Sequence, residues 1–297
     1  MNDTQNLKAA LVMMLSMALF TTGDAIIKFL SDTLPLGQIL FLRGLVVCIL
    51  FVILLSWKKQ PILPGACWNR WNILRSVFEL LVACTYLAGL VLLPLATAVI
   101  LVFSSPIMLT ILAALVLKEK VGWRRWGAVL VGFIGVIFVA DLQQSSLDSW
   151  AIILPLTAAF ITALRDIFVR NIPSVLSSTQ IAFTTAWVVT LGGLATLPFG
   201  WQAVSIEHIG LLSLGGVLVM AAYLTYIVTT RIGELSFLAP FKYASIPLAM
   251  LIGYLVWGDV PTANSYIGTV IIISSTLFIL VRRNKKKGEL KAKKLES

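Results

Sequence analysis

The sequence predicts an all-α polytopic membrane protein of ten transmembrane helices, arranged as two inverted five-helix repeats. Three observations predict this class. Of the 297 residues, 59% are hydrophobic and 12% charged, with a mean hydropathy of +0.96, whereas soluble domains carry about 25% charged residues. Ten apolar runs approach or reach the length of a membrane-spanning helix, about 20 residues. A pattern of polar residues in the first half recurs in the second half.

Short connections separate the apolar runs, and two of them are set by Pro or Gly. Leu93-Pro94-Leu95 joins two runs in the first half, and Ile232-Gly233-Glu234 joins two in the second. Pro and Gly stop one helix and let the next begin. The predicted helices 1 to 10 cover residues 7–30, 36–56, 72–93, 96–117, 124–140, 150–170, 177–198, 208–230, 236–257 and 264–281.

The distribution of Lys and Arg predicts which ends of the helices face the cytoplasm. Connections after helices 2, 4 and 8, and the tail after helix 10, contain Lys or Arg, and helix 6 ends on Arg170, whereas the alternate connections contain none. Cytoplasmic connections are enriched in these residues. We therefore expect both termini in the cytoplasm. The basic residues concerned are Lys58, Lys59, Arg70, Lys118, Lys120, Arg124, Arg125, Arg170, Arg231 and those of the tail.

Residues of helices 1 and 2 recur 142 positions later (166 − 24 = 142) in helices 6 and 7, which indicates a duplication. Because each half holds five helices, an odd number, the second copy enters the membrane upside down. The repeats are expected at residues 7–140 and 150–282, followed by a basic cytoplasmic tail at 283–297. The matching positions are Asp24, Lys28, Gln38, Ile39 and Phe41 with Asp166, Arg170, Gln180, Ile181 and Phe183, and, at shifts of 140 or 141, Pro106 with Pro247, Glu119 with Asp259 and Gly127 with Gly268.

Composition also argues against several classes of partner. The net charge is +10, but eight of the basic residues lie in the tail from Arg282 to Lys294, where anionic lipid is a sufficient partner; we expect no nucleic acid. Cys48 and Cys84 fall in apolar runs and Cys67 in a predicted cytoplasmic loop, so no disulfide is expected. A single His leaves no His/Cys metal site, and we expect no cofactor.

Two long motifs carry a family resemblance over nearly the whole chain. The run from Leu93 to Glu119, followed by Trp126-Gly127, and its counterpart from Phe241 to Pro261 resemble the drug/metabolite transporter superfamily, EamA type. The Phe-Leu-Arg-Gly motif at 41–44 and the Phe-Lys-Tyr motif at 241–243 further resemble a bacterial subgroup that includes riboflavin and S-adenosylmethionine carriers. Lys242 stands where that subgroup is expected to have Arg.

The resemblance implies a basket in which helices 1, 3, 4, 6, 8 and 9 surround a central cavity. Helices 5 and 10 would pack the halves together, through small residues such as Gly127, Gly132, Gly135 and Gly268, or would contact a partner in a homodimer. It also implies a location in the bacterial inner membrane and a small-molecule substrate.

Ionisable residues inside the predicted helices are the candidates for function, because each costs about 2.5–3.5 kcal/mol at a helix centre unless it is paired or hydrated. Asp24 and Lys28 are one turn apart and can pair on one face of helix 1. They form either a structural pair or a gate whose partner changes. Asp166 and Arg170 are their counterparts in helix 6, whereas Arg165 has none, since position 23 is Gly. The predicted gating or coupling residues are Asp24, Lys28, Arg165, Asp166, Gln38 and Gln180.

Helices 2 and 3 add three more intramembrane charges. Arg75 and Glu79 are four residues apart; Arg75 can reach the cytoplasmic surface, whereas Glu79 lies deeper and is the better cavity residue. Arg43 lies close to the middle of helix 2. Since the resemblance makes that helix peripheral, we expect a structural partner for Arg43, such as Asp24 or a carbonyl at a helix end.

Lys242, flanked by Phe241 and Tyr243, is the predicted site for an anionic or carboxylate-bearing group, because two π-faces beside an ammonium can hold a flat or zwitterionic metabolite. The alternative is that Lys242 only reaches for the inner surface. Further orienting groups in the predicted substrate site are Tyr86, Tyr223, Ser104 and Ser105.

The leading hypothesis is a secondary carrier that moves a small organic metabolite, such as riboflavin, S-adenosylmethionine or an amino acid, across the inner membrane by alternating access, with the direction left open. The alternative is an exporter of amino acids or toxic metabolites with the same fold. A membrane-embedded enzyme lacks a nucleophile–base set or metal cluster in the sequence, and a channel or scaffold would give transport that never saturates or never occurs. The sequence contains no G-x-x-x-x-G-K-[ST] motif, so direct ATP drive is unsupported.

Overall fold

A computed structural model describes residues 3–116, 122–140, 149–168, 176–232, 239–275 and 277–278. Regular secondary structure in these segments is helical. The basic tail, Glu119 and Arg170 lie outside the described residues. The helices are α1 (Asp3–Leu30), α2 (Leu36–Trp57), α3 (Arg70–Leu92), α4a (Leu95–Val102), α4b (Ser105–Leu115), α5 (Trp123–Ala140), α6 (Ile153–Phe168), α7 (Ser178–Leu194), α8 (Ile206–Ile232), α9 (Ser245–Trp257) and α10 (Ala263–Ser275).

The described segments contain seven helical spans that are long and apolar enough to cross a membrane. They are Lys8–Leu30, Leu36–Trp57, Arg70–Leu92, Leu95–Leu112, Trp150–Ile167, Ser178–Phe199 and Ile206–Tyr226. Three shorter apolar helical segments cover Trp126–Val139, Phe241–Trp257 and Ala263–Ser275. The chain is therefore a multi-pass membrane protein, and its described segments are all-helical in their regular structure.

Two predicted helices are interrupted where the sequence pattern suggested continuity. Predicted helix 4 is divided into α4a and α4b at Phe103 and Ser104. Pro106, in the first turn of α4b, has no N–H for the carbonyl of Val102, and its ring clashes with that carbonyl in a regular helix. The hydroxyl of Ser104 donates to the carbonyl of Leu101 at 2.6 Å and closes the break.

Predicted helix 9 has the same kind of interruption. Its described part starts as a 3₁₀ helix at Ala239–Ala244, and the α-helix begins at Ser245, two residues before Pro247. The Ser245 hydroxyl donates to the carbonyl of Lys242 at 3.0 Å. A Ser two residues before a Pro thus ends one helical segment and begins another in both halves of the chain.

The α2 and α7 helices pack against each other in antiparallel orientation. A Cβ atom placed on Gly193 would lie 2.6 Å from the backbone nitrogen of Phe41, so the two backbones approach closely there. Farther along, Cys48 Sγ lies 3.6 Å from Thr190 Oγ1, and the rings of Phe51 and Phe183 are 6.4 Å apart between centroids. Glycine at position 193 is required because any side chain would separate the helices.

Two buried glutamines fasten the ends of this helix pair. The side chain of Gln38, at the start of α2, donates to the Gln202 carbonyl at 2.8 Å and accepts from the Gln202 N–H at 2.9 Å. Gln180, at the start of α7, donates to the Pro61 carbonyl at 2.9 Å and forms a capping box with Ser177. Each glutamine therefore binds the loop that follows the end of the other helix.

The remaining helices pack around this pair. The α1 helix lies along α8, and α3 lies along α6. The α5 and α10 helices meet through small residues, since a Cβ on Gly268 would lie 2.6 Å from the carbonyl oxygen of Gly135. The small-residue face of α5 is therefore used within the chain. The largest apolar core joins the end of α1 to α3, α4a and α9 through Leu30, Leu90, Leu95 and Ala249.

Replacing Gly193 by Ala should destabilise the fold. The new Cβ would lie 2.6–2.7 Å from backbone atoms of Phe41 and Gly37, neither of which can move without moving α2. Overpacking of this kind costs about 1–3 kcal/mol, so we expect a lower Tm for the purified protein in detergent. Gly210→Ala in α8 is the control, because its Cβ would meet nothing within 4 Å. Equal Tm values for the two variants would show that α2 and α7 do not approach as closely as described.

Candidate functional site

A cavity of about 290 Å³ lies in the middle of the bundle, between α1, α2, α3, α4a, α8 and the start of α9. Most of its wall is apolar, as expected for a small-molecule site. Its polar lining consists of Thr21, Asp24, Arg43, Glu79, Tyr86, Tyr223 and Ser245, and its aromatic lining adds Phe20 and Phe103.

Asp24 and Arg43 form one polar group of this cavity. The Tyr86 hydroxyl donates to Asp24 Oδ2 at 2.8 Å, and Arg43 is close enough to Asp24 to interact with it electrostatically. On its way to the cavity the Arg43 side chain passes Gly215 of α8, where a Cβ would lie 3.6 Å from the Arg43 Cδ, in ordinary contact. Asp24 is thus the partner that the sequence suggested for Arg43. The resemblance made helix 2 peripheral, but α2 contributes Arg43 to the cavity lining.

Lys28 does not pair with Asp24, contrary to the prediction from their spacing. Its Nζ donates to the carbonyls of Leu90 and Leu93 at 2.8 and 2.5 Å, and lies 5.5 Å from the ring centroid of Trp257. Carbonyls in the last turn of a helix have no intrahelical donor and carry the negative end of the helix dipole. The last turn of α3 is therefore a sufficient partner for the ammonium. Lys28 fastens α1 to α3 beside α9.

Glu79 and Arg165 form a salt bridge that joins α3 to α6. Arg165 also binds Asp166 Oδ1, at 3.1 Å from Nε and 2.9 Å from Nη2. The Tyr223 hydroxyl lies 3.5 Å from Glu79 Oε1. The side chains of Glu79 and Arg165 are 16% and 19% exposed, whereas that of Asp166 is 44% exposed. Arg165 thus connects a carboxylate in the cavity wall to one at the surface of the bundle.

Arg75, which the sequence predicts to reach for the cytoplasmic surface, contacts α7 instead. Arg75 Nη1 donates to Thr185 Oγ1 at 2.5 Å, and Ser76 Oγ lies 3.3 Å from the same hydroxyl. Arg75 remains close enough to Glu79 to interact with it electrostatically. The closer partner of Glu79 is Arg165, which approaches from another helix.

The predicted Phe241-Lys242-Tyr243 site lies beside the cavity and not in its described lining. Lys242 Nζ donates to the Tyr226 hydroxyl at 2.9 Å and lies 5.1 Å from the centroid of that ring. Phe241 packs against the apolar cluster at the start of α1, and the Tyr243 ring is 5.1 Å from Phe103. The cation–π arrangement expected for a substrate is formed within the chain.

Five predicted substrate-binding residues therefore do not line the cavity: Phe241, Lys242, Tyr243, Ser104 and Ser105. Glu79, Tyr86 and Tyr223 do line it, as does Asp24 from the gating set. Gln38 and Gln180 hold loops, as described above. The sequence pattern did not identify Phe20, Thr21, Phe103 and Ser245. For Ser245 a signal existed, since it precedes a Pro by two residues, as Ser104 does.

The cavity combines charges of both signs with aromatic faces and hydroxyl groups. Its lining includes the carboxylates of Asp24 and Glu79 and the guanidinium of Arg43, and Arg165 neutralises Glu79 from outside the lining. No cluster of three His, Cys, Asp or Glu residues suited to a metal occurs among the described residues. Such a site can hold a polar organic molecule by hydrogen bonds and ring contacts.

Comparison with known proteins identifies the family. Residues 7–140 match the EamA-like transporter family. The first half of the chain is therefore an EamA-like domain. The family is described as one of transporters, and the described helices make this chain a multi-pass membrane protein.

Several bacterial transporters are similar to this EamA-like protein. A riboflavin transporter of Vibrio cholerae is 33% identical over 65% of this chain and 65% of its own length. An S-adenosylmethionine uptake transporter of Rickettsia prowazekii is 24% identical over 92% of both chains. The pseudopaline exporter CntI of Pseudomonas aeruginosa is 25% identical over 90% of this chain and 93% of its own. The first of these relatives is matched over slightly less than two thirds of its length.

A solved crystal structure shares the fold of this EamA-like protein. It superposes with a TM-score of 0.63 at 15% sequence identity, covering 93% of this chain and 99% of the other. At this identity the likeness concerns the fold alone.

Replacing Lys28 by Met should destabilise the protein, because it removes the donor from two buried carbonyls. Leaving buried acceptors unsatisfied costs about 1–3 kcal/mol, so we expect a lower Tm in detergent. Lys8→Met on the same helix is the control, since Lys8 is exposed and should tolerate the change. If Lys28→Met melted at the wild-type temperature, the contact between Lys28 and the end of α3 would not be a stabilising one.

Proposed function

We propose that this transporter is a secondary carrier that moves a flat, polar organic metabolite of the riboflavin type through the central cavity by alternating access. The observation that carries the proposal is the cavity itself. It lies inside an apolar bundle, yet it is lined by two carboxylates, a guanidinium and four aromatic rings. Charged groups at membrane depth generally mark a substrate or ion pathway.

An inverted repeat supports the proposed mechanism. The spans Leu36–Trp57 and Ser178–Phe199 have bounds that differ by 142 at both ends (178 − 36 and 199 − 57). Cys48 and Thr190 occupy matching positions and contact each other, as residues next to a two-fold axis do. The same shift of 142 makes α6 the counterpart of α1 and α8 the counterpart of α3. The contact between α1 and α8 is therefore the counterpart of the contact between α6 and α3. Ten membrane-crossing helices in two five-helix repeats, at residues 7–140 and 150–282, fit these relations.

Two contacts, at opposite ends of the cavity, are the proposed gates. At one end Lys28 binds the last turn of α3 and faces Trp257 from the second half. At the other end the Glu79–Arg165 salt bridge joins the two halves. Arg165 can release Glu79 and still keep Asp166 as its counter-ion, so opening this end leaves no unpaired guanidinium. Rocking of the halves would open the two ends in turn.

The proposed orientation follows from the basic connections. Lys58 and Lys59 lie at the end of the bundle nearer to Glu79, which would be the cytoplasmic end with both termini. The Lys28 contact would then close the periplasmic end, in the inner membrane. We propose import as the physiological direction, with export as the alternative, since one relative is named an exporter and another an uptake transporter. We also propose a homodimer through the outer faces of α5 and α10.

The cavity favours a planar substrate that is neutral or zwitterionic. Phe20 and Tyr223 pack edge to face at 5.2 Å between centroids, and Phe103 and Tyr86 also line the cavity. Flat rings stack on such faces. Because Glu79 and Arg165 neutralise each other, a substrate without net charge adds no unpaired charge to the site. The relative named a riboflavin transporter supports this class, and the S-adenosylmethionine uptake transporter supports a cationic alternative.

Uptake into proteoliposomes of purified protein tests the proposal. We expect saturable uptake of labelled riboflavin in a panel that also contains S-adenosylmethionine and amino acids. Glu79→Gln should lower uptake about tenfold or more, because it removes a charge-assisted hydrogen bond in the cavity, a class of interaction worth about 1.5–3 kcal/mol. Lys242→Met is the control and should retain uptake, since Lys242 lies outside the described lining of the cavity.

Three outcomes would contradict this account. Loss of uptake in Lys242→Met with normal uptake in Glu79→Gln would place the site at the Phe-Lys-Tyr motif instead. Saturable uptake of S-adenosylmethionine alone would replace the planar neutral class by the cationic one. Folded wild-type protein that moves no panel member, in either direction, would reject these substrates.

A further inference from the structure

A second cavity lies on the outer surface of the bundle, in a groove between α2 and α8. It measures about 310 Å³ and its described lining is entirely apolar, with four residues from each helix, including Ile53 and Trp57 of α2 and Met220 and Ala221 of α8. Ile53 is 60% and Trp57 82% exposed. Both helices are long and apolar enough to cross the membrane, so the groove faces the hydrocarbon of the bilayer.

The groove is separate from the substrate cavity, although the two share a wall. On α8, Val219 and Tyr223 line the central cavity, whereas Met220 and Leu224 line the groove. The groove's lining on α2 runs from Leu50 to Trp57, which is about 10 Å at 1.5 Å per residue. It ends at Trp57, and Trp residues at the end of a membrane helix mark the level of the lipid headgroups.

Two lysines directly follow the end of this groove. Lys58 and Lys59 come immediately after Trp57 and are exposed, and neither forms an ion pair within the described part of the chain. They place two positive charges at headgroup level, where an anionic phosphate is the complementary partner.

The backbone at Lys59 adds an independent observation. Lys59 has a φ of 52°, in the left-handed region, and is the only non-glycine residue with positive φ in the described segments. It ends α2 in the position where glycine is usual, with the Gln60 N–H bonded to the Leu55 carbonyl at 2.9 Å. A side chain is disfavoured in that conformation. Lys59 therefore occupies a backbone conformation that glycine would adopt at lower cost. We take this as a reason to look for a function of the lysine charge.

We propose that the groove between α2 and α8 binds one anionic phospholipid, with an acyl chain against Ile53, Trp57, Met220 and Ala221 and the headgroup phosphate on Lys58 and Lys59. This site is independent of the substrate cavity. The lipid would cover the exposed apolar residues of both helices and neutralise the two lysines.

Native mass spectrometry of the full chain, released from nanodiscs containing equal amounts of phosphatidylglycerol and phosphatidylcholine, tests the proposal. Wild-type protein should retain one phosphatidylglycerol molecule in preference to phosphatidylcholine. Lys58→Ser combined with Lys59→Gly should reduce the retained phosphatidylglycerol about fivefold or more, with no loss of Tm, because glycine accepts the left-handed backbone. Ala221→Phe, which fills the groove from the other helix, should reduce retention as well.

The matched control is Arg124→Ser, which removes an exposed basic residue stacked on Trp123 with a centroid distance of 5.3 Å, away from the groove. It should retain phosphatidylglycerol as the wild type does. Equal retention of the two lipids by wild-type protein would overturn the proposal. So would wild-type retention in the double lysine variant, or a loss of the same size in Arg124→Ser.

Discussion

The salt bridge between Glu79 and Arg165 is the interaction on which the rest of the arrangement depends. A charged side chain in the middle of a bilayer costs about 2.5–3.5 kcal/mol unless it is paired or hydrated, and both of these are largely buried. The pair therefore fixes how α3 and α6 are rotated, with their charged faces together and residues such as Val77 and Leu81 facing outwards. It also holds Glu79 beside Tyr223, so that α8 closes the cavity wall.

The close contact of α2 and α7 supplies a second constraint, which acts through backbone shape instead of charge. Gly193 allows the helix backbones to meet, and Gly44 lies against the side chain of Thr190. With this face of α2 turned towards α7, its neighbour Arg43 passes the glycines of α8 and enters the cavity. The close approach of α2 and α7 and the entry of Arg43 into the cavity are thus both set by small residues at the helix contacts.

Much of the fold could be predicted from the sequence, because apolar runs and Pro or Gly positions determine where membrane helices begin and end. The interruptions at Ser104 and Ser245 could not, since they depend on how each Pro is accommodated by neighbouring hydroxyls. In the site, Asp24 and Glu79 were identifiable because an intramembrane carboxylate needs a partner or a cavity. The partners were not identifiable: Lys28 prefers carbonyls of α3, and Lys242 prefers Tyr226. The rotation of each helix about its axis decides which side chains meet. When nearly all residues of a helix are apolar, its sequence does not show which face turns towards the neighbouring helices.

The most direct test of the central claim, that the cavity between the two halves holds the substrate, is protection of a cysteine placed in its wall. Ala83→Cys, in protein whose Cys48, Cys67 and Cys84 are replaced by Ser, would be alkylated with a membrane-permeable maleimide with and without riboflavin; Ala83 lines the cavity. The account predicts that saturating riboflavin slows the alkylation of the cysteine at position 83. The alkylation rate of a cysteine placed at position 77, where Val77 faces outwards, should not change. Equal rates at position 83, in protein that still takes up riboflavin, would contradict it.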